Sequence, residues 1–202
     1  MKKINKKYLI LGISLLLCCS IGLTVAFSKD ISNILTNTFF VGSVESEIEE
    51  EKPIVDGSII DKDPKVKNKG SVDALVRVRI TVSPEELCNP TNLNNDDSIL
   101  KINIDNQSWR YDDGYYYYNG VLEAGKTIDV FDDVILNTGN SYKTIEDLLK
   151  DYQEFNIAIY QETISSTATD SSGTEKNPYD SNGNYNFDAA KVIWSIYEDL
   201  NK

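Results

Sequence analysis

Hydrophobic and polar positions alternate most regularly along PKVKNKGSVDALVRVRITVSPEEL, where Val76, Val78, Ile80 and Val82 share one face and Leu75, Arg77, Arg79 and Thr81 the other. A period of two sustained over eight residues predicts a β-strand. Asn68-Lys69-Gly70-Ser71 supplies turn chemistry ahead of it and Pro84 ends it. The stretch SWRYDDGYYYYNGVLEAGKTIDVF then reads as a meander. Asp113-Gly114 and Asn119-Gly120 are predicted as two-residue hairpin turns, because Asp, Asn and Gly tolerate positive φ. Tyr115 to Tyr118 would place two tyrosines on each face of a short strand. Glu123-Ala124-Gly125-Lys126 predicts another turn before a strand from Thr127 to Phe131. Thr144 predicts the N-cap of a short helix running to about Gln153, with Asp147 at the capping-box position and Ile145, Leu148, Leu149 and Tyr152 facing inward. Phe155 to Ile164 returns to a strand. A long polar loop, SSTATDSSGTEKNPYDSNGNYN, leads into FDAAKVIWSIYEDLNK, where Ala189, Val192, Ile193, Ile196, Tyr197 and Leu200 recur at helical spacing. Many short strands with hairpin turns predict a mainly β fold, an antiparallel β-sandwich with a short inserted helix and a C-terminal helix.

The beginning of the chain follows a different pattern. Lys2, Lys3, Lys6 and Lys7 precede an apolar run from Tyr8 to Phe27, and Thr24-Val25-Ala26 places a small residue at its end. This is the layout of a secretory signal, with cleavage expected between Ala26 and Phe27 ahead of polar Ser28-Lys29-Asp30. The run is also long enough to cross a bilayer, so an uncleaved anchor is the alternative. The expected organisation is a signal peptide over 1–26, an N-terminal strand and acidic linker over 27–52, and the sandwich over 53–202. Past the cut the chain passes almost without linker into Ile31, Ile34, Leu35, Phe39, Phe40 and Val41. Such a segment suits a donor strand that completes a neighbour's sheet. It equally suits the first strand of its own sandwich, since both need the same apolar pattern. Glu45, Glu47, Glu49, Glu50 and Glu51, ending at Pro53, read as solvated linker.

Charge narrows the partners. The chain of 202 residues has 32 acids against 20 bases, a net charge of −12. Removing residues 1–26 takes away four lysines and no acid, which moves the balance to −16. That disfavours nucleic acid and anionic membrane surfaces and keeps an exported protein soluble, leaving the membrane to the signal segment alone. Of three cysteines only Cys88 lies beyond the cut, so no disulfide forms within one processed chain and packing must supply the stability.

The search for reactive groups returns little. With no histidine, the usual zinc ligand, triad base and proton shuttle are all missing, and the chain reads as a non-enzyme. The pairs Asp96-Asp97, Asp112-Asp113 and Asp132-Asp133 read as surface in so acidic a chain. DSNGNYNFD offers Asp180, Asn182, Asn184, Asn186 and Asp188 at alternate positions, a calcium pattern. Its glycine falls at the fourth place instead of the sixth, and Lys191 stands where an EF-hand has Glu, so a plain polar loop is the competing reading. YYYYNG could present a carbohydrate-binding face, against the reading that alternate tyrosines simply fill and cover the sheet. No cofactor motif is present.

The signal followed directly by TVAFSKD and FFVGSVE resembles the exported proteins processed by the alternative signal peptidase SipW, the TasA and camelysin-like family. VKNKGSVDALVRVRI, LEAGKT and FNIAIYQETIS followed by AAKVIW extend the likeness, which is nearest to the BsaA-type clostridial members. Two departures stand out: F-S-K-D replaces F-S-D, and Leu87 to Ser108 has no counterpart. The resemblance implies a jelly-roll-like sandwich, a SipW-type peptidase acting before Phe27, and self-association into extracellular fibres of a biofilm matrix with other matrix proteins. The protease activity ascribed to camelysin-type members has no basis in a chain without histidine. The alternative function is a cell-surface binding module for calcium or carbohydrate, held by an uncleaved N-terminal helix.

Overall fold

The computed structural model describes residues 45–49, 54–139 and 141–200. The chain divides into two compact units, 1–41 and 42–202, and every described residue belongs to the second. The expected cleavage residues Ala26 and Phe27, and Ile31, Ile34, Leu35, Phe39, Phe40 and Val41, lie outside the described residues. Among the described residues no helix is long and apolar enough to cross a membrane.

The second unit is mainly β, with every strand pair antiparallel, one short inserted helix and one C-terminal helix, as the alternation predicted. Its strands in chain order are β1 (Ser46–Glu49), β2 (Ile54–Asp56), β3 (Ile59–Asp61), β4 (Lys65–Asn68), β5 (Ala74–Ser83), β6 (Leu100–Ile102), β7 (Trp109–Asp112), β8 (Tyr115–Tyr118), β9 (Thr127–Asp129), β10 (Asp133–Leu136), β11 (Asn156–Ser165), β12 (Ala168–Thr169) and β13 (Glu175–Lys176). The helices are α1 (Ile145–Tyr152) and α2 (Phe187–Leu200). The strands form a first sheet β1-β4-β9, a second β2-β3-β10-β6, a third β11-β5-β8-β7, and a small β12-β13 ribbon.

The main core joins the second and third sheets, which fits a β-sandwich. Val76, Val78 and Ile80 of β5 and Tyr116 of β8 share one apolar cluster with Leu100, Ile102, Val134 and Leu136. Trp109 is fully buried there, and its indole Nε1 donates to the Asp129 carbonyl at 2.9 Å, satisfying the one polar atom it takes out of water. Leu87, Cys88, Leu93 and Ile104 from the segment without a family counterpart are buried in the same cluster, so that segment is core material.

Four expectations are corrected. Ser46–Glu49, read as linker, is a strand: it pairs antiparallel with Lys65–Asn68 of β4, and Glu47 is bound by Lys69 at 2.6 Å. Asp113 (φ 47°) and Gly114 (φ 83°) do turn β7 into β8, but no hairpin follows Asn119-Gly120. There the chain leaves the third sheet, touches Ala74 through a bridge at Leu122, and enters the first sheet as β9. β9 stops at Asp129, because Val130 and Phe131 turn into the core. Finally, α2 buries Phe187, Ala190, Ile193 and Trp194, while Val192 and Leu200 of the expected inner stripe are exposed. The two large rings carry more apolar surface than Val192 and Leu200 and set the helix's rotation.

Candidate assembly surface

The third sheet is covered on both faces, and this positions everything else of interest. Its outer face forms a second apolar cluster in which Leu75, Tyr117 and Ile164 pack against Phe187, Ala190, Ile193 and Trp194 of α2. Asn186 starts the helix by accepting from the Ala189 N–H at 2.9 Å, a side-chain cap for an otherwise free donor.

Arg77 lies inside this layer, only 5% exposed. Its Nε donates to Glu162 Oε2 at 2.8 Å, and one terminal nitrogen binds the same oxygen at 2.5 Å. The other terminal nitrogen donates to Glu198 of α2 at 2.7 Å and to the Tyr117 hydroxyl at 3.1 Å. The guanidinium stacks 4.0 Å from the Tyr115 centroid and 4.3 Å from that of Trp194. Tyr115 donates its own hydroxyl to Glu162 at 2.9 Å. Burial by itself would lower the Arg77 pKa, but Glu198, Glu162 and Tyr117 outweigh it and raise the value, so the charge persists. A planar donor fork that can also stack on rings explains why arginine, and not lysine, occupies this place. One buried cation thereby ties β5, β8, β11 and α2 together.

The sheet edges are less complete. β11 pairs with β5 along all ten residues, from Asn156 opposite Ser83 to Ser165 opposite Ala74, and among the described residues it is the terminal strand of its sheet. On its core side Ile157 and Ile159 are only partly buried, and on its outer side Tyr160 is 61% exposed. Near the far end Thr163 shares a 2.7 Å hydrogen bond with Ser46 at the start of β1. The β2–β3 hairpin is a second exposed edge, with Ile54, Val55 and Ile59 all open to solvent.

The other sequence candidates are placed as follows. Asp180 Oδ1 accepts from the N–H groups of Asn182 (2.8 Å) and Asn184 (2.9 Å), an Asx turn with Gly183 at φ 82°. Those bonds hold the Asp180 pKa below its usual value, the Asn184 N–H being the largest cause. Asp188 sits in the first turn of α2. Among the described residues no group of three or more His, Cys, Asp or Glu side chains is placed to hold a metal ion. Asp96 pairs with Lys101 and Asp112 with Lys191, so each acidic pair gives one member to a surface lysine or, at Asp132-Asp133, to the rim of the second sheet. Of the tyrosine run, Tyr116 and Tyr117 are buried on opposite faces, while Tyr115 and Tyr118 are half-buried. Cys88 is buried and its thiol is pushed up to about 11 by that burial. Sequence reasoning missed Arg77, since an arginine on the polar side of an alternating strand reads as solvent-facing. No family model, curated protein or solved structure matches the chain.

Proposed function

We propose that this is a secreted structural protein, exported by an N-terminal signal and assembled into extracellular fibres of a biofilm matrix by exchange of its first processed segment between subunits. The observation that supports this reading is β11, a ten-residue edge strand with half-covered Ile157 and Ile159 facing the core. An unpaired edge is a template for another strand, and main-chain bonds with pocket-filling side chains come together when one is added. About five residues of a ten-residue antiparallel strand turn their N–H and C=O groups to the open side. Phe39, Phe40 and Val41 supply apolar side chains, each contributing about 1.5–3 kcal/mol when fully buried. A donor at one end and an acceptor on the side make a head-to-tail contact that does not close, and filaments result. A jelly-roll order of strands and processing by a SipW-type peptidase belong to the same reading.

Deleting residues 27–41 is expected to leave a soluble monomer by sedimentation, with no fibres under negative-stain electron microscopy where the intact processed chain forms them. Fibres from the truncated protein would refute strand exchange.

A further inference from the structure

The three arginines of this chain, Arg77, Arg79 and Arg110, all belong to the third sheet. Arg77 is neutralised by Glu162 and Glu198. Arg79 is exposed, and among the described residues it has a ring and no carboxylate as its partner. Among the described residues Arg110 is likewise set against a ring, 4.0 Å from the Phe187 centroid, but only Arg79 has an exposed tyrosine opposite it in the ladder. Two carboxylates of the same sheet are committed elsewhere, Glu162 to Arg77 and Asp112 to Lys191 at 2.7 Å.

The surroundings of Arg79 are flat and aromatic. Tyr160 of β11 lies directly opposite it in the ladder, so both side chains stand on the same outer face. On the other side its guanidinium lies 4.4 Å from the centroid of Tyr115, the ring that Arg77 also stacks on. Gly114 lies alongside, since a Cβ there would sit 3.9 Å from the Arg79 terminal nitrogen. Tyr160, Arg79 and Tyr115 thus form a row running across three strands. With adjacent strands about 4.8 Å apart, the row spans about 10 Å.

We propose that this row binds a carboxylated sugar, specifically the uronic-acid units of an acidic polysaccharide. Stacking holds the guanidinium plane in place and leaves its edge donors toward solvent, the fork that takes a carboxylate bidentately. Tyr115 is occupied by the two guanidiniums that stack on it, while the exposed ring of Tyr160 offers a flat amphipathic surface on which a sugar ring packs. An acidic peptide fits the carboxylate equally well but favours the sheet edge, where its backbone can pair, over a row lying across the strands. The chain's net charge of −12 opposes any polyanion at long range, so the contact is short-ranged, local and weak. It is independent of fibre formation and of the Phe39–Phe40 segment.

The test is affinity electrophoresis of the full chain in a non-ionic detergent without a sugar headgroup, through gels containing polygalacturonate, fully methyl-esterified polygalacturonate, or poly-glutamate. Retardation by polygalacturonate alone is expected, weakened about tenfold or more in Arg79→Gln and in Tyr160→Ala and partly kept in Arg79→Lys. Unchanged melting of these surface variants separates lost binding from lost folding. The proposal is overturned by any one of four results: no retardation by polygalacturonate, equal retardation by the methyl ester, equal retardation of the variants, or stronger retardation by poly-glutamate, which would assign the row to an acidic peptide.

Discussion

Replacing Arg77 by methionine tests how the C-terminal helix is held. Methionine keeps an apolar stem beside Tyr115 and Trp194 but removes the donors to Glu162, Glu198 and Tyr117. Hydrogen bonds to charged groups contribute about 1.5–3 kcal/mol net, and breaking a fully buried ion pair costs about 3–5 kcal/mol. The Glu162 and Glu198 side chains are 39% and 48% exposed, so both rehydrate once the arginine is gone and the upper figures do not apply. Loss of stacking on two rings adds about 0.5–1 kcal/mol. The expected total is about 2–3 kcal/mol, a fall in Tm of about 4–12 °C for a domain of this size. Urea unfolding followed by circular dichroism gives the free energy, and tryptophan fluorescence reports the Trp194 environment. Glu198→Gln alone is expected to cost less than about 1 kcal/mol, because its partner stays satisfied by Glu162. Adding Glu162→Gln and Glu198→Gln to Arg77→Met is expected to recover part of the loss, since neutralised partners no longer leave unpaired charge. An Arg77→Met protein within 0.5 kcal/mol of the parent would refute the claim that this cation holds the helix.

Three further outcomes follow from titratable groups. Asp133 stands directly opposite Asp61, has one buried oxygen without a hydrogen-bond partner, and has its pKa raised, first by burial and then by Asp132 and Asp61. A raised carboxyl contributes stability below its unfolded value near 3.9 and loses it as pH rises through the folded value, so Asp133→Asn is expected to stabilise by about 0.5–1 kcal/mol at pH 7 and by little below pH 4 in calorimetric scans. At the alkaline end burial raises Cys88 from 9.0 to about 11, and both Tyr116 and Tyr185 from 10.0 to about 12. Their stabilising contribution is complete below pH 9 and is lost between pH 9 and 12, so the urea midpoint is expected to fall across that window. Disulfide-exchange reagents at pH 8 are expected to label Cys88 only after denaturation; prompt labelling of the native protein would contradict its burial.

Much of this architecture was legible in the chain because it rests on local chemistry. The alternation through Val76, Val78 and Ile80 gave β5, Asp113-Gly114 gave the β7–β8 turn, and the Thr144 cap is realised by its 3.2 Å bond from the Asp147 N–H. What stayed hidden depends on pairing across long separations. Nothing local distinguishes Glu47 in a solvated linker from Glu47 opposite Lys67, or an exposed Arg77 from one under a helix that begins at Phe187. The rotation of α2 is set by the surface it lands on, which only the folded sheet supplies. At the assembly surface, the sequence marked the apolar segment around Phe39 and Phe40, but the β11 edge became visible only once strand order was known.

β5 begins with five consecutive buried residues, Ala74 to Val78, because two separate apolar clusters share it as a common wall. A half-exposed strand accepts substitution at every second position, so a record of tolerated changes along it would oscillate. Along Ala74–Val78 that oscillation should be absent, leaving one continuous block of intolerance that resumes its rhythm only at exposed Arg79. The arrangement concentrates mutational risk for both layers in five adjacent codons.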